Sequence, residues 1–240
     1  MGERMKVLKE SEYTYLQINY KRNKKWCIIF SAVGIPAFIL GVYLPQLILW
    51  LVGLILLGIG VTYLNRALAY RAGIQGEKAV VGALQELDDS YYLINDIMVG
   101  EKRGNIDHVL LSPKGIFVIE TKNYAGDVRC EGDRWSKKGE RRLYEIRSVS
   151  RQAANNANYL SGLIRRELNL RIPIRPICVF TNPRVKLKLR KPTIAVLRLS
   201  ELAEFVREAS PLTTLGDSEI QAVSECILGK TYKEEVKPGE

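Results

Sequence analysis

Histidine is almost missing from this 240-residue chain, in which His108 is the only one. A histidine-rich metal centre and a histidine-based triad therefore lack their parts. Cysteine is scarce too. Cys27, Cys130, Cys178 and Cys226 are scattered and form no CxxC pair, so neither a zinc site nor a disulfide framework is indicated. The third absence is regional: the 39 residues from Trp26 to Leu64 carry no charge at all. Elsewhere the chain is strongly basic, with 36 Lys and Arg against 26 Asp and Glu, a net charge of +10 and a pI near 9.4. Such a balance points to an anionic partner, either nucleic acid or a lipid surface.

The uncharged block divides at Pro45-Gln46 into 26–44 and 47–64. Each half is near the roughly 20 residues that cross a bilayer as a helix. Both are apolar all round, which disfavours a buried soluble hairpin, and a cleaved signal peptide would be shorter. The expectation is a two-span membrane hairpin, with Gly34, Gly41, Gly53, Gly58 and Gly60 available for close helix contact. Lys21, Arg22, Lys24 and Lys25 precede the first span, and Arg66 and Arg71 follow the second. The positive-inside rule then puts both termini and the remaining domain in the cytoplasm. Residues 1–25 read as a basic tail beside anionic headgroups, 65–72 as a linker helix, 73–187 as the main domain, 188–229 as a C-terminal strand and helices, and 230–240 as a frayed polar tail.

The most informative stretch is 105–123, NIDHVLLSPKGIFVIETKN. Two β-branched-rich runs flank a Ser-Pro-Lys-Gly turn, so a hairpin is expected. With Pro113 and Lys114 at the tip, opposed residues have numbers that sum to 227. Asp107 and Glu120 meet that condition, which sets their Cβ atoms about 5 Å apart on one face. Lys122 shares the face. A three-residue loop would break this alignment. Opposed carboxylates repel, and a divalent cation between them removes the repulsion. Mg²⁺ takes one or two carboxylates plus water and phosphate oxygens, so the set suits metal-assisted phosphodiester hydrolysis. The bland alternative is a solvated charged face in which Lys122 neutralises one acid.

Asp107 followed by Glu120-Thr121-Lys122 on the next strand resembles the PD-(D/E)xK nuclease signature. Together with Gly76-Glu77 upstream and Gln152 downstream, the stretch from about Gly73 to Val185 resembles a NERD (nuclease-related) domain. The resemblance implies an αβββαβ core. It also implies Mg²⁺ or Mn²⁺ held by Asp107, Glu120 and the Thr121 carbonyl, with Lys122 positioning or activating water. Glu77 and Gln152 would belong to the same site. Such domains are described as nuclease-like from their motifs, so the resemblance supports a site more firmly than an activity.

The remaining residues fit this outline. Residues 65–87 should be helical, with Glu77 on an apolar stripe of Ile74, Val80, Val81, Leu84 and Leu87; an ordinary exposed helix Glu is the alternative. Tyr91 to Val99 reads as a strand, followed by a turn at 100–104. Asp96 is expected to close a bend, and His108 to pack on the opposite face from Asp107. Residues 126–146 read as one or two further strands with Trp135 as a cover. Ser148 to Leu168 reads as a helix with Gln152 and Asn156 beside its apolar stripe. Arg184 to Lys191, RVKLKLRK, alternates as an exposed ribbon would. Strands at 174–181 and 193–199, a helix capped by Ser200 and a last helix from Asp217 or Ser218 complete a mixed α/β sheet flanked by helices. Two functions remain open: a membrane-anchored metal-dependent nuclease acting on DNA or RNA, and a silent binding module for nucleic acid, lipid or protein.

Overall fold

The computed structural model describes residues 4–10, 15–44, 46–98, 105–139 and 142–235. The chain divides into two compact units, Glu12–Gln75 on one hand and Met1–Ser11 with Gly76–Glu240 on the other.

The first unit is a helical hairpin. Helix α1 spans Tyr15–Tyr43, and α2 begins at Leu47 and runs to Leu84. Both are long and apolar enough to cross a membrane, and only 11% of the most apolar window of each is buried. A core helix of a soluble protein would be mostly buried. Glycine sets the spacing between the helices. A Cβ at Gly41 would lie 2.3 Å from the Trp50 nitrogen, and one at Gly53 would lie 2.4 Å from the Phe38 nitrogen. Gly34 and Gly60 also face the neighbouring helix, but Gly58 has nothing within 4 Å and takes no part in the contact. Rings of Trp26, Phe30 and Tyr63 pack together near one end of the pair, and Phe38 meets Trp50 near the other.

The second unit is a mixed α/β domain with two sheets. The larger sheet has the order β1-β2-β3-β4-β8-β10, formed by Lys6–Lys9, Tyr92–Met98, Asn105–Ser112, Gly115–Lys122, Ile174–Phe180 and Ala195–Arg198. Strands β2, β3 and β4 are antiparallel, whereas β4, β8 and β10 are parallel. The C-terminal part of α2 and helix α4 (Leu202–Glu208) cover one face through Val80, Leu84, Leu202 and Val206. Helices α3 (Val149–Leu168) and α5 (Asp217–Glu235) cover the other through Leu160, Ile164, Val223 and Ile227. A central strand buried on both faces must be apolar throughout, as Ile116–Ile119 is. Each such side chain contributes about 1.5–3 kcal/mol.

The smaller sheet has the order β7-β6-β5-β9, from Leu143–Ile146, Arg134–Lys138, Gly126–Glu131 and Val185–Arg190. Its inner face buries Val128, Cys130 and Trp135 against Phe180 and Cys178 of the larger sheet.

Several expectations need correction. Residues 1–25 are not a simple tail. Lys6–Lys9 adds a parallel edge strand to β2, Met5 enters the core, and α1 already begins at Tyr15. The region 126–146 holds three strands rather than one or two, and a domain boundary at 187 would cut β9 in half. Strand β10, α4 and α5 pack into the same two cores and are not an addition to them. Ser200 lies inside a single 3-10 turn at Leu199–Glu201, so it does not cap α4. Helix α5 runs to Glu235, into the stretch expected to fray. The turn expected at 100–104 lies outside the described residues.

Candidate active site

The hairpin that builds the site closes with a two-residue tip. Ser112 pairs with Gly115, whose φ of 111° is costly for any side chain other than hydrogen. The Ser112 hydroxyl accepts the Lys114 N–H at 3.2 Å and donates to the Gly115 carbonyl at 3.1 Å. From there the ladder keeps the register whose numbers sum to 227, as far as His108 opposite Ile119. Asp107 and Glu120 hold the next position. The regular ladder stops there, and Asp107 Oδ2 accepts the Thr121 N–H at 2.7 Å. The acid thus takes the place of a backbone acceptor at the end of β3.

Glu120 is buried at 1% exposure, and Lys122, two residues on, reaches back to it with Nζ 2.5 Å from Oε1. The other carboxylate oxygen accepts from Asn156 Nδ2 at 3.3 Å, and the Lys122 ammonium also lies 3.4 Å from Gln152 Oε1. Gln152 and Asn156 are four residues apart on α3, so they project from one face. Helix α3 is anchored just before them. Ser148 caps it by accepting the Arg151 N–H at 3.1 Å, and Asp133 binds both the Ser148 hydroxyl and the Arg151 guanidinium.

Glu77 arrives from α2. Gly76 makes the approach possible, because a Cβ there would stand 2.9 Å from Thr181 Oγ1, 3.2 Å from Asn123 Cβ and 3.3 Å from Thr121 Cγ2. The carboxyl of Glu77 lies within electrostatic reach of Asp96, Glu120, Lys122 and Asp107. Asp96 has a left-handed backbone with φ 52° and accepts from Asn105 Nδ2 at 2.6 Å. In the β2–β3 register it stands opposite Asp107, between the pairs Asn95–His108 and Ile97–Ile106. A row of Asp96, Asp107 and Glu120 therefore crosses three strands.

Burial dominates the electrostatics. It raises the Asp107 carboxyl well above its usual range, and the neighbouring charge of Glu120 pushes the same way. Burial also raises Glu120, against the opposing pull of Lys122. Glu77 is pushed up to about 7 by desolvation and then by Asp96 and Glu120. Desolvation opposes the charge on Lys122, but the two acids outweigh it and hold the ammonium protonated far above neutrality. The site is thus a cluster of acids gathered around the firmly charged Lys122, with Arg147 also within electrostatic reach of Glu120.

All six residues singled out in the sequence lie in this region: Glu77, Asp107, Glu120, Thr121, Lys122 and Gln152. Asn156 and Asp96 join them. The spacing of Asn156 from Gln152 was the available signal for the first; Asp96 was marked only as a bend, and its place in the row depends on strand register. His108 is buried on the opposite face, with Nδ1 donating to Asn95 Oδ1 at 2.7 Å and its pKa pushed down to about 3 by desolvation. Trp135 is buried at 1%, donates Nε1–H to Ser150 Oγ at 2.6 Å and stacks on Phe180, so it seals the smaller sheet.

Residues 72–181 match the nuclease-related domain, NERD. This stretch is a nuclease-related domain. It begins in α2 just before Gly76 and ends at Thr181, so the NERD domain contains all six residues above. A Bacillus anthracis protein described as uncharacterized is 27% identical over 165 residues, which is 65% of this chain and 75% of that protein. No solved structure matches the chain.

Among the described residues no three His, Cys, Asp or Glu side chains are gathered as a ready-made metal cage. Asp107 and Glu120 nevertheless offer carboxylate oxygens of the kind that could hold Mg²⁺ or Mn²⁺ with water completing the shell. The repulsion between half-buried Asp107 and buried Glu120 is what such an ion would relieve.

Proposed function

We propose that this protein is a membrane-anchored, divalent-metal-dependent nuclease that hydrolyses phosphodiester bonds of DNA or RNA at the cytoplasmic face of the membrane. The observation that carries this reading is the pairing of half-buried Asp107 with buried Glu120 beside Lys122 at the end of a hairpin in a nuclease-related domain. The order of α2, β2, β3, β4, α3 and β8 supports assignment to the PD-(D/E)xK superfamily. The two apolar helices, barely buried, support the membrane anchor.

Asp107, Glu120 and the Thr121 carbonyl would hold Mg²⁺ or Mn²⁺. Bound there, the ion would polarise a phosphate and acidify a water. Lys122 stays charged, so its role is to hold a phosphate oxygen or orient the attacking water, and to stabilise negative charge as it develops. It is a poor general base. Glu77, poised near neutrality, is the group suited to take or give a proton. Gln152 and Asn156 keep Lys122 and Glu120 in place.

A second reading has its own observation. The Lys122–Glu120 ion pair is already closed, so the cluster can neutralise itself without a metal. A silent module that holds nucleic acid, anionic lipid or a protein would need no more. The full chain in detergent, incubated with labelled single- and double-stranded DNA and RNA, separates the two. Cleavage is expected with Mg²⁺ or Mn²⁺, to vanish in EDTA, and to fall at least a hundredfold in Glu120→Ala and Lys122→Ala. Absence of cutting in every metal would leave the binding module.

A further inference from the structure

The smaller sheet hides one face and leaves the other open. On the open face the register sets Asp127 beside Lys186 and Glu131 beside Arg190, acid against base. Glu131 and Arg190 form an ion pair at 3.3 Å. Between them the pattern breaks, because Arg129 stands directly opposite Lys188. Both are exposed, and neither has an ion-pair partner among the described residues. Like charges directly opposed destabilise a sheet, so an anion seated over the pair would remove a standing cost. Arg129 and Lys188 also line a shallow basin of 620 Å³, together with Arg134, Arg190, Glu131 and Glu145 among others.

We propose that this open face binds the phosphodiester backbone of a nucleic-acid strand, centred on Arg129 and Lys188. The proposal rests on the nuclease reading and gives that domain a second holding surface. Strand β5 starts four residues after Lys122, so the chain leads from the candidate site to the track within about 13 Å, and Arg129 lies at most about 25 Å along it. The charge pattern favours a strand over a lipid surface. A flat anionic membrane would press its headgroups onto Glu131 and Glu145 as well, whereas a single strand can place phosphates over Arg129 and Lys188 alone. Contacts to phosphate carry no base information, so binding here is independent of sequence.

The test is oligonucleotide binding by fluorescence anisotropy, with the full chain in zwitterionic nanodiscs, in EDTA, across a salt series. Arg129→Gln/Lys188→Gln should lose about tenfold in affinity at low salt. The log–log salt slope should fall by about 1.4, the value for two phosphate contacts on a single strand. The melting temperature should hold or rise, since the opposed charges are gone. Lys186→Gln, which removes a cation already facing Asp127, should cost clearly less than Lys188→Gln. Unchanged affinity and slope in the double variant would overturn the proposal, and so would equal losses for Lys186 and Lys188. Hydrogen exchange supplies the lipid arm: protection of 126–131 and 185–190 by anionic nanodiscs and not by oligonucleotide would assign the face to headgroups and overturn it. Metal-dependent cleavage with wild-type affinity in the double variant would overturn the track and leave the nuclease standing. Weakened binding in that variant, without cleavage by any form of the protein, would support the track and count against turnover.

Discussion

Replacing Lys122 by Met tests the electrostatic reading of the site most directly. The stem survives and the ammonium is lost. Glu120, at 1% side-chain exposure, then loses the cation 2.5 Å away, and Asp107 loses the nearest positive charge it feels. Removing one partner of a buried ion pair costs about 3–5 kcal/mol while the other stays charged. The acids have an escape, because they can bind protons. Lys122 itself, with its folded pKa raised, does not titrate between pH 5 and 8, so any change across that window belongs to the acids. A carboxyl whose folded pKa is raised gives stability below its unfolded pKa and loses it as pH climbs through the folded value. The variant should therefore lose about 3 kcal/mol or more at pH 8 and about 1 kcal/mol or less at pH 5. For a unit of this size that is about 6–12 °C in melting temperature at pH 8 and a few degrees at pH 5. Thermal melts of the full chain in detergent measure both. Mg²⁺ or Mn²⁺ added at pH 8 should recover part of the loss by binding the folded state. Equal losses at the two pH values would refute the buried-charge account. No recovery with either ion would refute the claim that Asp107 and Glu120 can share a cation.

Other outcomes follow from the same geometry. Glu77, raised from 4.5 to about 7, costs the folded state up to about 3 kcal/mol as pH rises from 4.5 through 7; Glu77→Gln should flatten the melting profile between pH 5 and 8, and an unchanged slope would contradict this. Gly76→Ala gains about 1 kcal/mol of helix propensity but loses about 1–3 kcal/mol to overpacking against Thr181 and Thr121. Stability should fall by up to about 2 kcal/mol, while cleavage drops because Glu77 moves; full activity would show that the helix has slack there. Gly41→Ala should lower the melting temperature of the full chain by several degrees, since Trp50 backbone lies 2.3 Å from the new Cβ, whereas Gly58→Ala should not; similar melts for the two would refute the close contact at Gly41.

How much of this could be seen beforehand depends on the range of the interaction. The hairpin was legible because Ser112-Pro113-Lys114-Gly115 fixes both turn and register locally, and register alone aligns Asp107 with Glu120 and Lys122. Gln152 came from family likeness, and Asn156 could be inferred only after Gln152 was placed. Asp96 was invisible as a member of the acid row. The bend at Asp96 was expected, but its place in the row also needs β2 to pair with β3 in one particular register, and that register leaves no mark in the local sequence. The N-terminal strand was missed for a related reason. Lys6–Lys9 has a basic, half-exposed pattern that suits a tail as well as an edge, and its pairing partner lies 86 residues away at Tyr92. Edge strands are the elements for which charge and short length are expected, so the features that argued for a tail were those of a protected edge. The basic ribbon shows the converse. Its alternation was plain, but alternation cannot tell which strand lies beside Lys188. Only the parallel pairing of β9 with β5 sets Arg129 there, and only that pairing turns a run of surface lysines into a specific, unneutralised pair.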